Sequence, residues 1–261
     1  MALSKSDLKF LLRSRSLSFM RNARFGNTGP LAALDWNGHR LHYRPGTSDA
    51  HLIYKILLRR GRRAEYVFPD ALQAECIFDI GANIGAASLL LAQRFPHARI
   101  YSFEPVPDNF ELLERNLAGF PNVTPVPFAL ARESGSRELI LSADRLNRGG
   151  HSFFQRGAGA DTPRIRVEAV TAAEFMRSRG LARVDLIKVD CEGAEYEVLS
   201  GFDTAVLREV NWIVGELHGE NDFELLAYLS QWFDIEAKKS FGKPLFIFNA
   251  CNKQALACIG R

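Results

Sequence analysis

The 261-residue chain has no run of apolar residues long enough to cross a bilayer as a helix, so no membrane span is expected. It also lacks a secretory signal pattern. Arg13, Arg15 and Arg21 interrupt the early apolar positions before an h-region can form. A cytoplasmic protein is the expectation that follows. Cysteine is sparse. Cys76, Cys191, Cys251 and Cys258 form no CxxC pair and match no common zinc spacing, so they read as small buried hydrophobes in a reducing compartment. No sign of charge dominates: 33 Lys and Arg stand against 30 Asp and Glu, a formal charge of +3. That balance permits an acidic partner without requiring one. There is no internal repeat and no long low-complexity run.

What is present suits one generous α/β domain with an N-terminal extension. Hydrophobic residues make up 47% of the chain, enough for a substantial core. Residues 1–70 read as the extension, with a basic segment and a hairpin and helix lead-in, and 71–261 as the main domain. Lys5, Lys9, Arg13, Arg15, Arg21 and Arg24 face a single early acid, Asp7. Leu8, Leu11, Leu12 and Phe19 can share one helical face. This segment reads as a packed or poorly ordered extension, with a helix on a membrane surface or an acidic partner as the alternative. Leu34 to Tyr43 reads as a hairpin turning at Asn37-Gly38. Arg44 to Asp49 (RPGTSD) then ends it, with Ser48 or Asp49 capping a helix over His51 to Leu58. Gly61 to Arg63 breaks the pattern with a basic loop.

From Cys76 onward strands and helices alternate. Strands are expected at Cys76–Ile80, Arg99–Phe103, Val123–Phe128, Asp185–Val189 and Trp212–Gly215, with helices at Ala86–Arg94, Pro107–Leu117, Thr171–Arg179, Ala194–Leu199 and Phe223–Trp232. Pro125 and Pro127 make the third of these strands exposed or irregular. Glu138–Leu141 and Arg164–Val167 read as strands flanking a glycine-containing loop over Asn147–Ala160, a candidate lid or a surface connection. Ile235–Lys238 and Leu245–Asn249 close the chain as two strands around a turn at Gly242. Such alternation implies a mostly parallel sheet with helices on both faces.

The strongest local signal is Asp79-Ile80-Gly81-Ala82-Asn83-Ile84-Gly85, between an apolar strand and a helix. Ligands of open α/β sheets bind beyond the carboxyl ends of the strands, where the winding reverses. Gly81 allows a sharp turn and Gly85 a close helix-to-sheet approach, which would leave backbone amides facing a ligand. A strand-end acid at Asp79 would attract a cation such as the methionine ammonium of S-adenosylmethionine. Glu104, followed by Pro105, ends the next strand about twenty residues on, where a carboxylate can accept from two ribose hydroxyls. Dinucleotide enzymes share that carboxylate, but their GxGxxG turn opens without an acid and seats a pyrophosphate. Asp79 would repel one.

A second cluster lies in Leu186–Gly201. Asp190 ends the fourth strand beside the same crevice, Glu192 opens the next helix, and Glu195 and Glu197 follow within it. The last acids also serve a helix N-terminus as simple caps. Lys188, inside the strand, is placed to pair with a neighbouring acid. The third cluster is Glu216-Leu217-His218-Gly219, where strand alternation puts Glu216 and His218 on one side. His218 or Asp190 could take the proton of an alcohol acceptor. Alternatively, Asp190, Glu192 and Glu216 could hold a divalent cation such as magnesium that acidifies the hydroxyl.

Taken in order, FDIGANIGAASLLLA, FEPVPDNFELLERN, LIKVDCEGAEYEVLSG and GELHG resemble the FkbM family of S-adenosylmethionine-dependent methyltransferases, and RPGTSD with Glu65-Tyr66 resembles its lead-in. The resemblance spans roughly residues 44–220. It implies a class I methyltransferase fold, Rossmann-like, with a mostly parallel seven-stranded sheet and an antiparallel edge strand. It also implies O-methylation of a hydroxyl on a sugar, lipid or secondary metabolite. Asp79, Gly81, Asn83, Gly85 and Glu104 map onto the cofactor site, with Ala82 and Pro105 beside them. No acid follows the third strand at Ala129-Leu130, where the wider class grips adenine, so Phe128 and the backbone would do that work.

Three other readings compete. A nucleic-acid methyltransferase would show an aromatic and basic surface run, or [DN]PP[YF] after the fourth strand, where this chain has Asp-Cys-Glu-Gly. A dinucleotide oxidoreductase conflicts with Asp79. A cofactor-binding scaffold without chemistry leaves Asp190 and His218 unused.

Overall fold

The computed structural model describes residues 4–26, 29–142, 150–151, 162–219, 221–239 and 246–255. Helix α1 (Lys5–Ser14) starts with a capping box: Ser4 Oγ accepts from the Asp7 amide at 3.2 Å, and Asp7 Oδ2 from the Ser4 amide at 2.7 Å. It stops at Arg15, whose backbone is left-handed (φ 52°), and Ser16 caps α2 (Leu17–Phe25). The single apolar face expected for this segment therefore does not form. Phe19 sits in the second helix, fully buried against Tyr43 at 5.3 Å, while Leu8 and Leu12 on the first are exposed. Both helices pack on the body of the protein, Phe10 stacking on Tyr54 with ring centroids 3.8 Å apart.

The hairpin forms as read. Strands β1 (Ala32–Trp36) and β2 (His39–Tyr43) join through Asn37 (φ 48°) and Gly38 (φ 83°), both left-handed as a type I′ turn requires. A Cβ on Gly38 would touch nothing within 4 Å. Gly38→Ala is therefore expected to cost only the backbone term, about 1–2 kcal/mol, seen as a fall of a few degrees in the calorimetric midpoint.

The expected helix cap is not there. Ser48 makes no capping bond to α3 (Asp49–Ile53). The Asp49 carboxylate instead turns back to Arg44, taking its amide at 3.0 Å, its Nε at 2.8 Å and its Nη2 at 3.0 Å. The helix then widens into a π-helical turn over Tyr54–Leu58, followed by a short 3₁₀ turn at Gly61–Arg63.

The main elements follow as β3 (Cys76–Ile80), α4 (Ala86–Arg94), β4 (Arg99–Phe103), α5 (Pro107–Leu117) and β5 (Val123–Val126). A small side sheet comes next, built from β6 (Ala129–Leu130), β7 (Gly135–Ile140) and β8 (Arg164–Val170) in the order β6-β8-β7. The chain continues through α6 (Ala172–Ser178), β9 (Leu186–Val189), α7 (Glu195–Ser200), α8 (Thr204–Arg208), β10 (Trp212–Leu217), α9 (Asp222–Leu229), β11 (Phe233–Lys239) and β12 (Phe246–Asn252). The seven-stranded sheet runs β11-β12-β10-β9-β3-β4-β5. All pairs are parallel except those of β12, which opposes β10 and β11. The antiparallel strand thus lies one place in from the edge, with β11 outermost. Most of the loop expected over 147–160, and the turn at Gly242, lie outside the described residues.

Both central strands β3 and β9 are buried at every position, because helices cover the two faces. One face packs Ile77, Leu89 and Leu113 together with Leu34, Leu41 and Ile53, so its core runs unbroken across residue 70. The other gathers Phe78, Phe103 and Phe175 in edge-to-face contact at 4.8–5.7 Å. Cys76 and Cys251 are buried, Cys191 is half-buried, and all three are thiols. Among the described residues no helix is long and apolar enough to cross a membrane. The winding reverses between β3 and β9, so the carboxyl ends of these strands open the crevice in which the sequence motifs meet.

Candidate active site

A cleft of about 710 Å³ opens there, within the range that holds a nucleoside-sized ligand. Its lining includes Ile80, Gly81, Ala82 and Asn83 after β3, Glu104 and Pro105 after β4, and Asp190 and Glu192 after β9. Glu104 is buried. Its Oε2 accepts from the Asn83 amide and its Oε1 from the Val106 amide, each at 2.9 Å. The Asn109 side-chain amide also donates to Oε1, at 3.5 Å, and the lone-pair directions still open on the carboxylate suit ribose hydroxyls. Burial pushes its pKa up to about 7, against the pull of the two backbone amides and of Asn109. Asn83 itself is held left-handed (φ 51°), and its Oδ1 is buried without a hydrogen-bond partner among the described residues. The cleft thus offers an orphaned acceptor beside a ribose-type carboxylate, and the residues present fit the adenosine half of S-adenosylmethionine.

Three sequence readings change here. Asp79 does not face the cleft. It is fully buried, its Oδ2 accepting from Ser88 Oγ at 2.6 Å and its Oδ1 lying 3.0 Å from Lys188 Nζ. The lysine already neutralises it, so Asp79 positions the turn and has no charge to spare for an ammonium. Nor do the turn amides point at a ligand: Gly81 and Ala82 both donate to the Phe103 carbonyl, at 3.1 and 2.9 Å. The case against a dinucleotide survives on different ground, because these amides leave no cradle for a pyrophosphate. Phe128 is the third correction. Its ring packs towards Phe103 and Phe175, and Ala129 and Leu130 line the cleft in its place.

The glycines serve contacts that are distant in sequence. A Cβ on Gly81 (φ 77°) would stand 1.9 Å from the Asp190 carbonyl oxygen. One on Gly85 (φ 91°) would meet Leu113 and Leu117 of α5, so this glycine admits α5 and not the sheet.

The acid and histidine cluster is brought together as read. His218 is buried, with Nδ1 2.9 Å from Glu195 Oε1. Its Nε2 lies 3.5 Å from Asp190, 3.7 Å from Glu192 and 3.6 Å from Glu216. Burial alone would lower its pKa, but the Glu195 hydrogen bond and the surrounding carboxylates raise it to about 10. In this arrangement His218 is an imidazolium, so the general-base reading of it does not fit. Asp190 keeps a raised pKa, chiefly through burial and then through the charge of Glu216. The Tyr66 hydroxyl reaches it at 3.4 Å.

Glu216 is occupied elsewhere. Its Oε1 takes the Lys55 ammonium, which also sits 2.5 Å from Glu65. Burial favours the proton on Glu65, while the hydrogen bond from Glu65 and then the Lys55 ammonium keep Glu216 ionised. The ligand atoms that could hold a metal ion therefore come from Asp190, Glu192 and His218, all within 4.8 Å of one another. His218 replaces Glu216 in the set expected from sequence. Lys55 carries no motif in the sequence. The one available sign was a lone cation in the apolar run HLIYKILL, on a π-helical turn of the kind that recurs at functional sites.

Sheet order, the glycine turn after β3 and the buried carboxylate after β4 together define a class I methyltransferase, which uses S-adenosylmethionine as methyl donor. The chain belongs to the FkbM methyltransferase domain family, whose model matches residues 79–243. It is 28% identical over 173 residues to the hexuronic acid methyltransferase AglP of Haloferax volcanii, covering 65% of this chain and 68% of that protein. It is 26% identical to the 2-O-methyltransferase NoeI of Sinorhizobium fredii, covering 48% of this chain and 56% of that protein. Among solved structures, a Methanococcus jannaschii fibrillarin pre-rRNA processing protein superposes with a TM-score of 0.47 at 12% identity, covering 88% of this chain and 86% of that one.

Proposed function

We propose that this methyltransferase transfers the methyl group of S-adenosylmethionine to a hydroxyl oxygen of a sugar or sugar-like metabolite. The observation that carries the reading is the carboxylate cluster of Asp190, Glu192 and Glu216, which opens on the same cleft as Glu104. S-adenosylmethionine, which Glu104 and Asn83 would hold, would supply an activated methyl group; its transfer in line to the acceptor oxygen would leave the electron pair of the broken carbon–sulfur bond on a neutral thioether. The sulfonium is already a good leaving group, so holding the two reactants in line supplies much of the acceleration. The hydroxyl proton still needs a base. Asp190 is the best candidate, since His218 is protonated and Glu216 is held by Lys55. The names of AglP and NoeI support a sugar-type acceptor.

Asp190→Asn keeps the side-chain shape and is expected to cut turnover about a hundredfold or more with cofactor affinity unchanged. Single-turnover rates and calorimetry check both halves. The acceptor class is tested by incubating the enzyme with S-adenosylmethionine and panels of hexoses, hexuronic acids and RNA, and mapping the new methyl group by mass spectrometry. Methyl found only on RNA bases would overturn the reading.

A divalent cation at Asp190, Glu192 and His218 is a second reading, in which the cation would displace the imidazolium proton; it is favoured by the buried His218 Nε2, which has no hydrogen-bond partner among the described residues. Bound there, a cation would acidify the acceptor hydroxyl. Two carboxylates and an imidazole suit manganese better than magnesium. Activity lost to a chelator and restored best by manganese would support this route. Full activity of the stripped protein would end it.

A further inference from the structure

The two N-terminal helices carry an outward face to which the proposed chemistry assigns nothing. Five of the eight large apolar side chains left exposed among the described residues fall between Leu8 and Leu31. Singly exposed apolar residues are ordinary, but these are grouped. Leu8 and Leu12, 48% and 67% exposed, lie one turn apart on α1, and Lys9 is exposed beside them. Leu17 and Phe25, 46% and 51% exposed, lie two turns apart on α2, with the exposed Arg21 between them on the same stripe. Arg15, also exposed, stands at the joint. The opposite sides of both helices are fixed to the body. Phe10 stacks on Tyr54, Arg13 Nη1 donates to the Leu58 carbonyl at 3.1 Å, and Phe19 and Met20 are buried. The leucines are therefore held outward by the packing behind them.

The charge on this face has one sign. Asp7 is the only acid before Asp35, and it is buried in an ion pair with Arg24. Lys9, Arg15 and Arg21 form no ion pair among the described residues. Apolar side chains set among lysine and arginine on a surface helix match the headgroup region of an anionic bilayer. The leucines enter the acyl boundary while the cations stay at the phosphates. Other occupants suit one half of the face only. A second copy of the chain would bring like charges together, and a nucleic acid would leave the leucines in water. We propose that the outward faces of α1 and α2, through Leu8, Leu12 and Leu17 with Lys9, Arg15 and Arg21, dock the protein on an anionic lipid surface. Lys9 also lines the cleft, so the docked face adjoins the cleft mouth. Docking of this kind needs neither cofactor nor acceptor.

The test floats the full chain with extruded phosphatidylcholine vesicles, with and without about a third phosphatidylglycerol. Binding is expected only to the anionic vesicles, and it should weaken as salt rises. Leu8→Gln/Leu12→Gln should weaken it at least about tenfold, and so should Arg15→Gln/Arg21→Gln. All four side chains are exposed, and far-ultraviolet circular dichroism checks that each double variant keeps its fold. Phe223→Gln removes an apolar side chain 86% exposed on α9, outside this face, and should bind as the wild type does. Equal binding to neutral vesicles, or none to anionic ones, would overturn the proposal. So would an affinity unchanged in the leucine variant or lost in Phe223→Gln. Dimers in sedimentation velocity that the leucine variant dissociates would also overturn it, by assigning the face to a second copy.

Discussion

Lys188→Met should destabilise the protein by about 3–5 kcal/mol, the largest effect expected of any single change near the site. Lys188 and Asp79 are both buried, with 3.0 Å between Nζ and Oδ1. Burial opposes the ammonium, yet the Asp79 charge and hydrogen bond raise its pKa. The same ammonium donates to the carbonyls of Ile80 and Gly81 at 3.1 and 2.7 Å, so it ties β9 to the turn that shapes the cofactor cleft. Removing it strands a carboxylate in the sheet, and an unpaired buried charge is far more costly than a missing pair. The double variant Asp79→Asn/Lys188→Met removes both charges and should recover most of the loss. Urea denaturation of the two single variants and the double gives the coupling energy. Simple additivity would show that the pair is not an energetic unit. S-adenosylmethionine affinity should fall in the lysine variant even at temperatures where it stays folded, because the Gly81 turn has lost its tie.

That pair also marks the boundary of what could be read from sequence. The turn at Gly81, the strand before it and the carboxylate at Glu104 were legible because each answers a local need: backbone direction, burial of an apolar run, and a strand end. The proximity of Asp190, Glu216 and His218 was legible for a related reason, since all three sit at carboxyl ends of neighbouring strands. Their protonation was not. His218 reads as a base from its residue type, but it is surrounded by four carboxylates from the turn after β9, from α7 and from β10, whose combined field no local pattern reports. Asp79 reads from sequence as a ligand group because its neutralising partner, Lys188, lies on a strand far along the chain. Lys55 is illegible for the same reason, with Glu216 lying 161 positions away. The N-terminal segment reads as one helical face because Arg15 breaks it without glycine or proline to announce the break.

Glu104→Ala should weaken S-adenosylmethionine binding about a hundredfold, through the loss of two charge-assisted hydrogen bonds to the ribose. Glu104→Gln keeps one carbonyl oxygen and should lose about tenfold. The alanine change also strands the amides of Asn83 and Val106, so each variant's melting curve must accompany its titration. A pH series makes the assignment sharper. The carboxyl titrates at about 7 in the fold, against an ordinary value of 4.5. Between those values the folded state holds a proton that the unfolded chain has released. Its contribution to stability is complete below about 4.5 and is lost as pH rises through 7. Cofactor binding runs the other way, since the ionised carboxylate is the stronger acceptor for both hydroxyls. Affinity should rise with pH up to about 7, with uptake of cofactor releasing close to one proton at pH 6, and then level off. Calorimetry in buffers of different ionisation enthalpy reads that proton directly. In Glu104→Gln both the slope and the proton release should vanish. A wild-type slope that persists unchanged in this variant, or an unaltered affinity in Glu104→Ala, would remove Glu104 from the ribose site.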